Sequence, residues 1–307
     1  MLGFAITLSV IPGTVFASCG TAFCSINTQW DVQGVSMDAG TRVGLRYEYI
    51  DQDQLRAGVN EVAVGEIPHH HDEVRTLNKN WLFSVDHTFN DSWGASLIVP
   101  YVDRSHEHIH NHMGTPHDEA WDFGRLGDAR ILGRYKPLEQ KPGFLFGLKL
   151  PTGKYDIANE DGDEAERTLQ PGTGTTDVIL GIFYGTRSLS SPSLWFVQAS
   201  WQQVLNERAD FKPGHQLLLD GGYRYDANHK VGLMVQINGL IRDKDSGDEA
   251  EPDDSGGEYL YLSPGVSLTV SHSVQVFAFL QQPLYQHVNG VQLTADNGYV
   301  LGINGQF

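Results

Sequence analysis

The chain is poor in the features that mark most function classes. Of its 307 residues only two are cysteine and four methionine. Two thiols alone make a poor metal site, and so few thioethers argue against a dedicated copper(I) centre. Basic residues are scarce as well: 21 Lys and Arg face 38 Asp and Glu, for a net charge of −17. No cluster is dense enough to neutralise a phosphate backbone, which excludes a nucleic-acid binder. Beyond the first twenty positions no apolar run is long enough to cross a bilayer as a helix, which excludes a helical membrane protein. Glycine-rich phosphate loops, the CxxCH haem motif and the zinc-protease helix motif are all missing. His87 has Ser84 and Ser92 near it in sequence, but three residues around one turn do not make a nucleophile with its base, so no enzyme is expected.

What is present starts with an apolar leader. Residues 1–17, MLGFAITLSVIPGTVFA, read as a signal peptide, with Val15-Phe16-Ala17 at the cleavage positions. A lipoprotein reading through Phe16-Ala17-Ser18-Cys19 competes with it. Export implies an oxidising compartment, where Cys19 and Cys24 are expected to close a small local disulfide loop. Residues 18–39 then form an N-terminal periplasmic or plug segment, and 40–307 the main body.

From about residue 40 the dominant signal is period-two alternation in segments of nine to fourteen residues, closed by Gly, Pro, Asn, Asp or Ser. Val43, Leu45, Tyr47 and Tyr49 oppose Arg42, Gly44, Arg46 and Glu48; after the Asn90-Asp91 turn, Trp93, Ala95, Leu97, Val99 and Tyr101 form another apolar face. About twelve such strands fit. Their connections alternate in length, long at 51–79, 102–125, 152–174, 206–214, 242–256 and 285–296, short at 90–91, 137–142, 188–192, 227–228 and 271–272. One-sided loops of this kind predict an all-β, antiparallel transmembrane β-barrel with short periplasmic turns and long extracellular loops, in the bacterial outer membrane. A closed barrel is one of the few ways to pair every backbone polar group in lipid. Trp81, Trp93, Tyr101, Tyr135, Trp195, Trp201, Tyr223, Tyr225 and Tyr299 sit where interfacial girdles belong, and the terminal Phe307, with Leu301 and Ile303, resembles the signal read by the barrel-assembly machinery. A soluble sandwich would not sort its loops this way. The implied partners are outer-membrane lipid, lipopolysaccharide and a small-molecule solute.

If the apolar set faces lipid, the lumen is lined by Arg42, Arg46, Glu48, Asp86, Asp128, Arg130, Arg134, Lys149, Asp177, Asp220 and Arg224. Such a lining suits a hydrated pore or a polar network that plugs it. Phe183, Phe277 and Phe279 also point inward, either as a greasy patch or as packing for a plug from 18–39. Histidine is the oddest feature: His69, His70 and His71 form one run, and His106, His108, His110, His112 and His117 fall in HEHIHNHMGTPH. In extended backbone an i, i+2 spacing puts alternate imidazoles on one side, so these residues are candidate ligands for a transition-metal ion, with Glu107, Asp118 and Glu119 completing a shell; a merely polar loop is the plain alternative. No other cofactor is implied. Segments 156–166 and 243–258 hold six and eight acids, without the spacing of an EF-hand.

The stretch FGRLGDARILGRYKP at 123–137, the strand GFLFGLKLPTGKYD and then TGTTDVILGIFYGTR resemble the family of outer-membrane transporters named for the meta-pathway of phenol degradation, the MetA-like β-barrels. The likeness covers most of 40–307 and rests on barrel texture, the Gly-Asp strand openings and the Leu-Pro-Thr-Gly strand exit. It implies a passive channel or uptake protein, with aromatic compounds as the suggested cargo of some members, and carries no binding-site residues. The alternative is a non-conducting binding or structural barrel whose His-rich and acidic loops hold metal or a partner.

Overall fold

The computed structural model describes residues 18–19, 24–29, 39–67, 72–112, 115–137, 141–188 and 190–307. The signal peptide expected at 1–17, most of 18–39 and His69–His71 lie outside the described residues. Twelve strands close into one antiparallel barrel. They are β1 (Gly40–Ala57), β2 (Asp72–Thr88), β3 (Trp93–His112), β4 (Thr115–Leu126, resuming as Ala129–Tyr135), β5 (Gly143–Leu150), β6 (Asp177–Arg187), β7 (Ser193–Val204), β8 (Gln216–Asp226), β9 (Val231–Arg242), β10 (Gly257–Ser271), β11 (Val274–Val288) and β12 (Val291–Gln306). Closure runs between β12 and β1, from Val291 opposite Ala57 to Gln306 opposite Arg42. Reciprocal backbone bonds between Thr41 and Phe307, 3.0 and 2.8 Å, seal the periplasmic rim.

Alternation explains the orientation of the wall. On β2, Trp81, Phe83 and Val85 face outward, whereas Asn78 and Asn80 are fully buried. Phe83, Leu180 and Ile237 are each about half exposed, while Glu48 and Asn238 are at 0%. A soluble barrel would reverse this pattern; an apolar exterior around a polar interior is stable only against hydrocarbon. Interfacial aromatics pack across neighbouring strands, Tyr47 on Trp81 with centroids 4.6 Å apart and Trp93 on Tyr135 at 4.5 Å.

The outer connections differ from the sequence reading. The segment 102–125 is a hairpin rather than a loop: β3 and β4 stay paired from Tyr101 opposite Leu126 up to His112 opposite Thr115. Its outward residues Asp103, Ser105 and Glu107 are polar because this part has left the membrane, and that loss of apolar alternation disguised it as a loop. For the same reason 285–296 is mostly strand around a tight Asn289-Gly290 turn, where Gly290 takes a φ of +56°. Long strands thus rise above the bilayer on one side.

Two breaks interrupt the wall. Gly127-Asp128 separates the halves of β4. Above Gln281, opposite Gly298, β11 pairs only with β10 and β12 only with β1, with Ser18–Cys19 adding in parallel at Gln292 and Leu293. The expected Cys19–Cys24 bond is not formed: Cys24 is a free, buried thiol. Its sulfur abuts Gly298, whereas Cys19 pairs with Leu293. Five residues of extended chain separate those levels by about 16 Å, far beyond disulfide reach.

Candidate functional site

The lumen holds three layers. At the outer end the loop 151–176 folds inward as a cap. Leu169 (0% exposed) and Ala165 enter an apolar cluster with Leu55, Val102, Trp121, Phe123, Val291 and Leu293 from the wall. Polar latches fix the loop backbone over this cluster. The buried Arg104 is held by Asn78 at 2.6 Å and donates to the carbonyls of Leu169 and Thr168. Trp121 donates its indole N–H to the Asp163 carbonyl at 2.9 Å, and Gln170 bonds Ile157 and Ala165 within the loop.

Beneath the cap lies a charged knot on β4, β5 and β6. Lys149 Nζ is 3.2 Å from both Asp128 and Asp177, and it also meets Thr173 and Thr175. Asp128 accepts from the backbone N–H groups of Gly153 and Thr173 at 3.0 and 2.9 Å; Asp177 accepts from Gln202 at 2.5 Å and Thr175 at 3.0 Å. Thr152 bridges the Gly127 carbonyl and the Ala129 N–H. Gly153 and Gly172 touch backbone to backbone, leaving no room for a Cβ, so the two stems of the cap can cross here. The Gly-Asp opening, the Leu-Pro-Thr-Gly exit and the Thr-Gly-Thr-Thr-Asp run therefore meet at one place. Burying these charges is tolerable because each carboxylate is fully hydrogen-bonded.

The inner layer is the segment 24–29, which threads the barrel. Asn27 and Gln236 exchange backbone and side-chain bonds of 3.1 and 2.9 Å, and Asn27 also reaches Asp220. Arg46 donates to the Ile26 carbonyl and Thr28, Gln281 to Ser25, and the Cys24 N–H to Glu48. Phe277 and Phe279 pack with Cys24, Ile26, Ile50, Met234 and Val300, so these phenylalanines meet the inserted segment. Phe183 covers Gly143 on the wall. Space below is small: a cavity of about 30 Å³ borders Thr28, Gln29, Arg42, Arg46 and Asp86, and one of about 10 Å³ borders Gln29, Ser96, Arg134 and Leu145. These hold a few waters.

Most of the remaining lumen charges are also engaged. Arg46 pairs with Glu48 at 2.6 Å, Asp86 accepts from Ser96, Arg134 donates to Thr88, Arg224 binds Asp226, and Asp220 accepts from Asn238. Arg130 faces the same interior beside Lys149.

The histidines divide. His106 and His108 are buried in the upper β3–β4 hairpin, against Trp121. His106 bonds Thr76 at 2.7 Å, and His108 bonds Glu119 at 3.1 Å with Glu166 of the cap at 3.9 Å. Burial, with help from His108 and Arg104, pushes the His106 pKa well below the usual histidine value. His117 is exposed and pairs with His110 through the backbone; the side chains of His110 and His112 lie outside the described residues. Among the described residues no group of three or more His, Cys, Asp or Glu is arranged to hold a metal ion. In the acidic 243–256 connection Asp245 is buried against Arg242 at 2.7 Å. Burial and the neighbouring Glu73, Asp254 and Asp245 push the Glu251 carboxyl up to about 9.

Arg104, Asn78, Trp121, Leu169 and Gln170 were missed by sequence reasoning. The signal was there, since Val102, Arg104, His106 and His108 continue the even-numbered inward face of β3.

No protein-family model matches the sequence, and no curated protein matches it. Solved structures are similar in fold. An outer membrane channel from Pseudomonas putida F1 aligns at a TM-score of 0.68 and 14% identity, over 89% of this chain and 97% of that one. The NanC porin aligns at 0.49 and 9% identity, over 86% and 100%, and the CymD monoaromatic hydrocarbon channel at 0.47 and 9%, over 88% and 89%.

Proposed function

We propose that this bacterial outer-membrane barrel is a passive channel for a small solute, closed at rest by its own cap and inserted segment. The observation that carries the reading is what occupies the lumen: segments 24–29 and 151–176, neither of them part of the wall, fill the charged, polar interior of a closed barrel. The apolar cluster of Trp121, Phe123, Val102 and Leu169 at the mouth favours a solute with an apolar or aromatic body over a metal ion, in keeping with the resemblance to the phenol meta-pathway transporters. No catalytic step is assigned.

The second reading is a non-conducting binding barrel whose His-rich and acidic outer segments hold a metal or a partner. It is favoured by the small volumes left in the bore, about 30 and 10 Å³. Uptake of small neutral solutes into proteoliposomes bearing the refolded full chain separates the two. Flux above protein-free vesicles that rises in Arg104→Ala supports a channel. Equal, background flux in both sinks it in favour of the binding barrel.

A further inference from the structure

The cations of the lumen differ in one respect. Arg46, Arg134, Lys149 and Arg224 each meet an acceptor described above. Arg130 makes no hydrogen bond, ion pair or ring contact to any described residue. The charges that face it are Asp177, Arg46, Asp128 and Glu48. All three acids are engaged elsewhere: Asp128 by Lys149, Gly153 and Thr173, Asp177 by Lys149, Gln202 and Thr175, and Glu48 by Arg46 and the Cys24 N–H. A guanidinium carries five donors in a planar fork that matches a carboxylate, and here the half-buried fork meets no acceptor among the described residues.

Its surroundings restrict what could bind. Arg130 lies opposite Ile98 on β3 and two residues from Leu132, and on this inward face Ile98 packs on Leu132, Leu145 and Ile179. A cation beside an apolar patch suits a molecule with one anionic end and one apolar end. The local charges Lys149, Arg130, Asp128 and Asp177 sum to zero. A bound monoanion therefore leaves one net negative charge, and a dianion leaves two, next to two carboxylates in a medium of low dielectric.

We propose that Arg130 and the Ile98–Leu132–Leu145–Ile179 patch form a binding site for a monocarboxylate with an apolar body, which names the solute class of the channel and rests on that reading. The carboxylate takes the Arg130 guanidinium, and the hydrocarbon part lies along the patch in the space that opens when Gln29 of the inserted segment withdraws from the cavity of about 10 Å³ at Leu132 and Leu145.

Isothermal titration of the refolded full chain with sodium benzoate tests this, with benzamide as the neutral isostere and phthalate as the dianion. Wild type is expected to bind benzoate, at least tenfold more tightly than benzamide or phthalate. Arg130→Gln should weaken benzoate at least tenfold, with Arg130→Lys in between. A heat-modifiable shift on gels confirms that each variant is a folded barrel. Absent binding by wild type, equal binding of benzamide, or benzoate affinity unchanged in folded Arg130→Gln would each overturn the site. Binding is read without conduction, so a protein that carries neutral solutes but binds benzoate independently of Arg130 refutes this inference and leaves the channel reading standing.

Discussion

The two ends of the bore are closed by apolar and polar contacts in different proportions. The outer cap is an apolar core in miniature: Leu169 and Ala165 sit among Trp121, Phe123, Val102 and Leu293, and its few polar groups are latches to backbone carbonyls. The inner segment also buries two apolar side chains, Cys24 and Ile26 against Phe277, Phe279, Ile50, Met234 and Val300, but most of its contacts are hydrogen bonds to wall side chains, Asn27 with Gln236, Arg46 to Ile26 and Thr28, and Gln281 to Ser25. Water can replace each hydrogen bond of the inner segment at little net cost, but it cannot replace the buried apolar contacts of either closure. The cap, whose stems are also pinned by the knot of Lys149, Asp128 and Thr173, is the tighter gate and the six-residue inner segment the looser one. Opening the cap favours a solute that can itself supply apolar contact.

The comparison can be broken most severely at the knot on which the cap stems rest. Lys149→Met leaves Asp128 and Asp177 buried and unneutralised, and about 3–5 kcal/mol of folding stability should be lost. Urea titration of folding into lipid vesicles measures it, and adding Asp177→Asn should recover part. Next, Leu169→Ala should cost the cap about 2–5 kcal/mol through a cavity, read as faster proteolysis within 151–176 at unchanged barrel stability. Asn27→Ala, which removes the side-chain bonds to Asp220 and to the Gln29 N–H and leaves the backbone pairing to Gln236, should cost about 1 kcal/mol by the same vesicle assay. Equal losses in Leu169→Ala and Asn27→Ala would erase the distinction between the two gates.

The smallest effect is a pH dependence confined to the outer rim. Glu251 holds its proton up to about pH 9 when folded, against an ordinary carboxyl value in the opened segment. The folded form therefore binds more protons between those values, so the stability of this contact is full in acid and falls as pH rises toward 9. Hydrogen exchange of 243–256, corrected for intrinsic rates, should show protection declining from pH 5 to 9, and Glu251→Gln should flatten the slope.

The barrel was legible because lipid imposes period-two alternation on every spanning strand. Val43 against Arg42 and Trp93 against Gly94 suffice to orient a wall, and the inward charges follow from parity. Where strands leave the membrane that constraint ends, and the hairpin bearing Arg104, His106 and His108 read as a loop because Asp103 and Glu107 face water. The cap was hidden for another reason. Leu169 and Ala165 lie in an acidic, irregular segment with no period, and what seats them is Arg104, over sixty residues away in sequence. Gly127-Asp128, Leu-Pro-Thr-Gly and Thr173–Asp177 were conspicuous one by one, yet their convergence on Lys149 is a property of strand order. The Cys19–Cys24 pairing failed because spacing says nothing of direction: Cys19 pairs beside Leu293 of β12, whereas Cys24 lies against Gly298.

The central claim, a bore closed at two levels by segments of its own chain, is most directly tested by single-channel recording of the full chain in planar bilayers. Wild type is compared with the cap variant Arg104→Ala, the inner variant Asn27→Ala/Gln236→Ala, and their combination. Brief, rare openings in wild type are predicted, with the combined variant open at least tenfold more of the time than either alone. Steady wild-type current equal to that of the combined variant, or silence from all four proteins, would contradict it.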